Sequence, residues 1–111
     1  MPFIELKTNQ SISSPEEIKA ELGRAITAIP GKSEAWLMVE LEGDKNMYFK
    51  GSSEPCAMFE VAIFGRAGAE AYDDLTKRLC DISNRLLSVS PDRTYVKYSE
   101  IDKWGFNSFN F

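Results

Sequence analysis

A chain with no histidine must move protons near neutral pH with something other than imidazole. The absence excludes Ser-His and Cys-His dyads and any histidine metal site at once. The residue that draws the eye instead is Pro2, directly behind the initiator methionine and at the head of the alternating stretch PFIELKT. Aminopeptidases clip an initiator methionine when the second residue is small, and proline qualifies. The product carries a free secondary amine. An ordinary α-amino group has a pKa of about 7.7–8.0, and burial or a neighbouring cation lowers it towards the working pH. Such an amine is a competent general base. A plainer account of the dipeptide is that proline tolerates the first residue of a strand.

Lys32, just past Pro30-Gly31, is the nearest candidate for holding an anionic group, although a lysine beyond a helix C-terminus also complements the helix dipole. The two cysteines, Cys56 and Cys80, form neither a CxxC pair nor a metal-spacing cluster, and are expected to be buried free thiols. GSSEPCA at 51–57 reads locally as a turn feeding a buried strand.

The elements that must position these residues follow from periodicity. One domain, residues 1–111, is expected, with a net charge of −4 from 13 basic and 17 acidic residues. That balance argues against a nucleic-acid surface, which needs clustered positive charge. No window reads as a signal peptide or a bilayer-spanning segment, so the chain is expected in the cytoplasm and without membrane insertion, with secretion lacking a signal peptide left open. After the opening strand, Ser14, Pro15 and Glu17 read as a capping box, followed by a helix with Ile18, Leu22, Ala25, Ile26 and Ile29 on one stripe. EAWLMVELEG alternates as a strand, and KNMYFKG reads as a short additional one. The pattern then repeats: a strand at CAMFEVAIFG, a helix burying Tyr72, Leu75, Leu79, Ile82 and Leu86, and a strand at RTYVKYSEI. Two strand–helix–strand halves predict an α+β fold, two βαβ repeats forming a four-stranded mixed sheet with both helices on one face. Strand parity places Phe3, Trp36, Met38, Met58, Ala62, Phe64 and Tyr95 on the other face. An apolar patch of that size predicts oligomerisation through the uncovered face.

Taken together, MPFIELKTN, Gly31-Lys32, GSSEPCA, SPDRTYVKY at 90–98 and the closing GFNSFNF resemble the macrophage migration inhibitory factor and D-dopachrome tautomerase family, in the family's order and spacing along the whole chain. The resemblance implies a homotrimer whose uncovered sheet faces line a central barrel, with active sites between subunits. It implies keto–enol tautomerisation of small aromatic α-keto acids such as phenylpyruvate, and of dopachrome-like compounds, with no metal or organic cofactor. By the same resemblance Pro2 is the catalytic base, Lys32 holds the substrate carboxylate, Phe64 lines the pocket through its backbone, and Tyr95 is donated across the subunit boundary. Phe106 and Phe111 then pack against the substrate ring. The sequence departs from the family's pattern at Lys97, where its best-known member has asparagine, and at Phe64, where isoleucine is frequent. Lys97 adds a cation near Tyr95 that could assist in carboxylate binding. Phe59 stands where a CxxC pair would have its second cysteine, so a thiol-oxidoreductase activity has no support. The family also implies a rival role, a cytokine-like secreted trimer that binds a cell-surface receptor.

Overall fold

Burial alternates strictly along Pro2–Thr8, which makes β1, with every even-numbered residue buried. The computed structural model describes residues 1–111. Helix α1 spans Pro15–Ala25, with Pro15 at its first position and Glu16 and Glu17 in the first turn, where acidic groups complement the dipole. The expected capping box does not form: the Ser14 side chain makes no capping bond, and only its carbonyl accepts from the Ile18 N–H at 3.2 Å. The helix tightens into a 3-10 turn at Ile26–Ala28 before Gly31, at φ +81°, redirects the chain.

Strand β2 is shorter than the alternation suggests. It spans Met38–Glu42, because Glu34–Trp36 closes a separate 3-10 turn in which Trp36 N–H donates to Ser33 O. KNMYFKG forms no strand of the sheet; only Phe49 and Ser52 bridge, with Lys50 and Gly51 both at positive φ between them. Strand β3 spans Ala57–Phe64, helix α2 spans Ala69–Leu87, and β4 spans Thr94–Ile101. The last residues fold into a two-stranded hairpin, β5 (Gly105–Phe106) against β6 (Phe109–Asn110), turning at Asn107 and Ser108.

The sheet order is β2-β1-β3-β4. β1 runs parallel to β2 and β3 parallel to β4, while β1 and β3 are antiparallel neighbours at the centre. This is the expected pair of βαβ units in one mixed sheet. Ile4, Leu6, Phe59, Val61 and Ile63 meet Ile18, Leu22, Leu75, Leu79 and Ile82 in one core between the sheet and the helices. Each fully buried aliphatic side chain of this kind contributes about 1.5–3 kcal/mol. Tyr72 and Leu86 are only half-buried at the edge of the expected α2 face, and Leu87 is buried as well.

The face away from the helices is more charged than the apolar residues alone suggest. Register aligns Glu40, Glu5, Glu60 and Lys97 in a row across all four strands. Phe3, Met38 and Ala62 flank that row on one side, and Met58 and Tyr95 on the other. Met38 is 69% exposed and Tyr95 60%. No helix is long and apolar enough to cross a membrane.

Candidate active site

Pro2 stands at the first position of β1 and is buried against the central sheet, opposite Ile63 of β3. A cavity of about 710 Å³ opens over it, with a mostly apolar lining that includes Met1, Trp36, Met38, Trp104 and Phe106. Four pieces of chain build this wall: the turn leading into β2 with Met38, the head of β1, Ala62 of β3 and the C-terminal hairpin with Trp104. Trp36 and Phe106 meet edge to face with ring centroids 5.3 Å apart. The hairpin is closed by the Phe111 N–H, which donates to Trp104 O at 2.8 Å.

At the amino-terminal edge of the cavity, β3 ends beside the first residues. The Phe64 N–H donates to Met1 O at 2.9 Å, and the Lys32 Nζ donates to Phe64 O at 2.9 Å. Lys32 is thereby fixed next to the chain's amine. The amine of Met1 is held below its ordinary value by burial, then by the positive charge of Lys32 and a hydrogen bond with it. An ammonium has three N–H donors, so the bond to Phe64 leaves Lys32 two for a ligand. The Phe64 and Phe111 rings lie together, 5.6 Å apart, next to this edge.

Of the residues expected at the site, Pro2, Lys32, Phe64, Phe106 and Phe111 therefore gather at one end of the chain's fold. Pro2 and Phe106 line the cavity itself, whereas Lys32, Phe64 and Phe111 flank it. Tyr95 and Lys97 do not join them within the chain. Tyr95 is opposite Met58 on β3, while Pro2 is opposite Ile63. Five strand residues separate the two levels, a span of about 16 Å at ~3.3 Å per residue. Tyr95 packs instead on Phe49, edge to face at 5.0 Å. Lys97 is paired with Glu60 at 2.5 Å, and that bond holds the Glu60 carboxyl below its usual range.

Trp36, expected on the uncovered sheet face, sits in the turn at 34–36 and lines the cavity together with Phe3, Met38 and Ala62 of that face. Trp104 also lines it, although nothing local in the sequence says that the closing segment folds back over β1. A tryptophan directly before a glycine-led hairpin was the available signal.

Oxygens of Glu5, Glu40 and Glu42 lie within 4.8 Å of one another on the uncovered face, yet exposed carboxylates commonly cluster so without an ion. Glu5 is raised above the ordinary carboxylate range, chiefly by its hydrogen bond with Glu60 and then by burial. Cys56 is buried and Cys80 half-buried, with neither in a disulfide.

An apolar pocket thus lies over the buried Pro2, flanked by one anchored lysine and set on paired βαβ units. The family model described as macrophage migration inhibitory factor matches residues 1–110, and the chain belongs to that family. The macrophage migration inhibitory factor of Meriones unguiculatus is 32% identical over 114 residues, covering 100% of this chain and 99% of that protein. A D-dopachrome decarboxylase-B from Xenopus laevis is 27% identical, covering 94% of this chain and 90% of its own length. Among solved structures, the Leishmania major MIF2 crystal structure superposes with a TM-score of 0.91 at 24% identity, over 100% of this chain and 97% of that one. Family membership supports tautomerase and cytokine-like function in general.

Proposed function

We propose that this chain is a keto–enol tautomerase of small aromatic α-keto acids, phenylpyruvate being the representative substrate, and of dopachrome-like compounds. The observation that carries the reading is the position of Pro2: buried at the floor of an apolar cavity, next to a lysine fixed by the Phe64 carbonyl. Once Met1 is removed, the secondary amine inherits an environment whose burial and positive charge already depress the amine of Met1. Lowering an amine's pKa raises its unprotonated fraction at a given pH, and the unprotonated form can accept a proton.

The substrate carboxylate takes the two free donors of Lys32, and its ring lies among Trp36, Phe106 and Phe111. Pro2 nitrogen removes a proton from the carbon next to the carbonyl, the electron pair moves onto the carbonyl oxygen, and a proton returns at that oxygen. The reaction shifts one proton and needs no cofactor; fixed donors stabilise the developing charge.

Completing the site takes a second copy. Tyr95 is exposed and lies two strands across and about 16 Å further along the strand direction from its own Pro2, which supports its serving a neighbour's cavity. A homotrimer that packs the uncovered sheet faces around a central barrel provides that contact and covers Met38 and Phe3. There Tyr95 polarises or reprotonates the carbonyl oxygen. Lys97, already paired with Glu60, acts through the local field and not as the carboxylate anchor. No feature of the surface singles out a receptor, so the cytokine-like role adds no residue to this account.

The test is an intact mass of the purified protein alongside a phenylpyruvate assay. The chain lacking Met1 should turn over; Pro2→Gly should keep methionine removal and lose about a hundred- to ten-thousandfold in kcat. Full turnover by a chain proven to retain Met1 would end the mechanism, because its Pro2 nitrogen is an amide.

A further inference from the structure

We propose that Arg93 is a positioning residue for Tyr95, acting through the ring of Phe49. The inference rests on the reading above, in which Tyr95 enters a neighbour's cavity, and it adds the device that aims it. Arg93 makes no salt bridge. Its guanidinium instead donates four hydrogen bonds to backbone carbonyls of one loop: Nε to Pro55 O at 2.8 Å, Nη1 to Phe49 O at 3.1 Å, and Nη2 to Ser52 O and Glu54 O at 3.2 and 3.0 Å. The same guanidinium lies over the Phe49 ring, its Cζ 5.3 Å from the centroid. Phe49 in turn meets Tyr95 edge to face, with rings 5.0 Å apart and an interplanar angle of 89°.

Asn9 grips the loop from the other side. Its Oδ1 accepts from the Cys56 N–H at 2.9 Å, and its Nδ2 donates to Ser53 O and Glu54 O at 3.0 Å each. Two side chains thus hold a loop whose turn already needs positive φ at Lys50 and Gly51. The core does not explain this investment, because none of Phe49, Ser52, Ser53 and Glu54 belongs to it. What the clamp does fix is the place of the Phe49 ring, and so the surface against which Tyr95 rests. A tyrosine 60% exposed on a sheet face has open rotamers unless something restricts it. Only the planar fork of arginine can reach four carbonyls and cover a ring together; lysine cannot.

The experiment places 3-fluorotyrosine at position 95 and compares wild type with Arg93→Lys and with the milder Phe49→Leu, each checked for native circular dichroism and unchanged oligomeric size. The wild-type fluorine resonance should be displaced by the Phe49 ring current, and both substitutions should move it towards the free-tyrosine position. Phenylpyruvate kinetics are measured in parallel. Misplacing a group by about an ångström is costly, so kcat should fall on the order of tenfold or more while KM stays within about twofold. Combining either substitution with Tyr95→Phe should be no worse than Tyr95→Phe alone, since both remove the same contribution. An unmoved fluorine line overturns the proposal whatever the activity, as do additive losses in kcat. A line that moves while Tyr95→Phe leaves kcat unchanged overturns the placement of Tyr95 in the neighbouring cavity, and this proposal with it.

Discussion

Replacing Lys32 with methionine keeps most of the apolar stem, one atom short, and removes the charge, and the structure says what should follow. The ammonium is half-buried and pinned to Phe64 O, with two donors left for a carboxylate. A hydrogen bond involving a charged group is worth about 1.5–3 kcal/mol. At 1.36 kcal/mol per tenfold that corresponds to about 12- to 160-fold in affinity. Water reaches a half-buried ammonium, which favours the lower part of the range, so KM for phenylpyruvate should rise about ten- to thirtyfold. A dopachrome-type methyl ester, which carries no carboxylate, should change by less than about threefold.

The same substitution has a second signature in the pH profile. Lys32 lowers the amine of Met1, behind burial as the larger cause. If the Pro2 amine left by Met1 removal is the base and shares that neighbour, activity should lie above its pKa and fall as pH drops through it. Removing the lysine lets the pKa rise, and the acid limb of kcat/KM should move to higher pH, partway to the ordinary α-amino value because burial remains. Steady-state kinetics between pH 5 and 9 on acid and ester substrates read both effects. An equal rise in KM for acid and ester, or an acid limb that stays in place, would refute the role assigned to Lys32.

Three further outcomes are expected. Met38→Lys puts a charge on the most exposed large apolar side chain of the uncovered face, and should shift the proposed trimer to monomer in light scattering; a monodisperse monomer of the unmodified chain would sink the trimer. Replacing both Cys56 and Cys80 with serine should cost about 1–3 kcal/mol in urea unfolding through the newly buried hydroxyl at 56, while kcat of the folded fraction is retained; a folded double variant that binds substrate without turnover would contradict a structural role. Leu79→Ala removes a fully buried side chain where α2 meets the sheet and should cost about 2–5 kcal/mol in the same assay, and a loss below about 1 kcal/mol would argue against that packing.

How much of this was legible beforehand depends on the range of the forces involved. Alternation along Pro2–Thr8 and Ala57–Phe64, and helical spacing through Leu75, Leu79 and Ile82, are properties of a few consecutive residues. They set the element types, the buried faces and the two βαβ units from the sequence by itself, and the position of Pro2 at a strand head came with them. The capping box failed because a side-chain bond depends on the local backbone angles of Ser14, which residue types alone do not determine. KNMYFKG failed as a strand: it turns at Lys50 and Gly51, and Arg93 and Asn9, both 44 residues away in sequence, bond carbonyls at Phe49 within it and Ser53 just after it. Tertiary structure alone decided that Trp36 and Trp104 face Pro2, that Lys32 is pinned by Phe64, and that Tyr95 lies two strands across from its own Pro2. Each of these depends on strand register and on the direction in which a turn releases the chain. Both are settled only when the whole core packs, since a pleated strand can pair at several offsets until burial of one face selects among them.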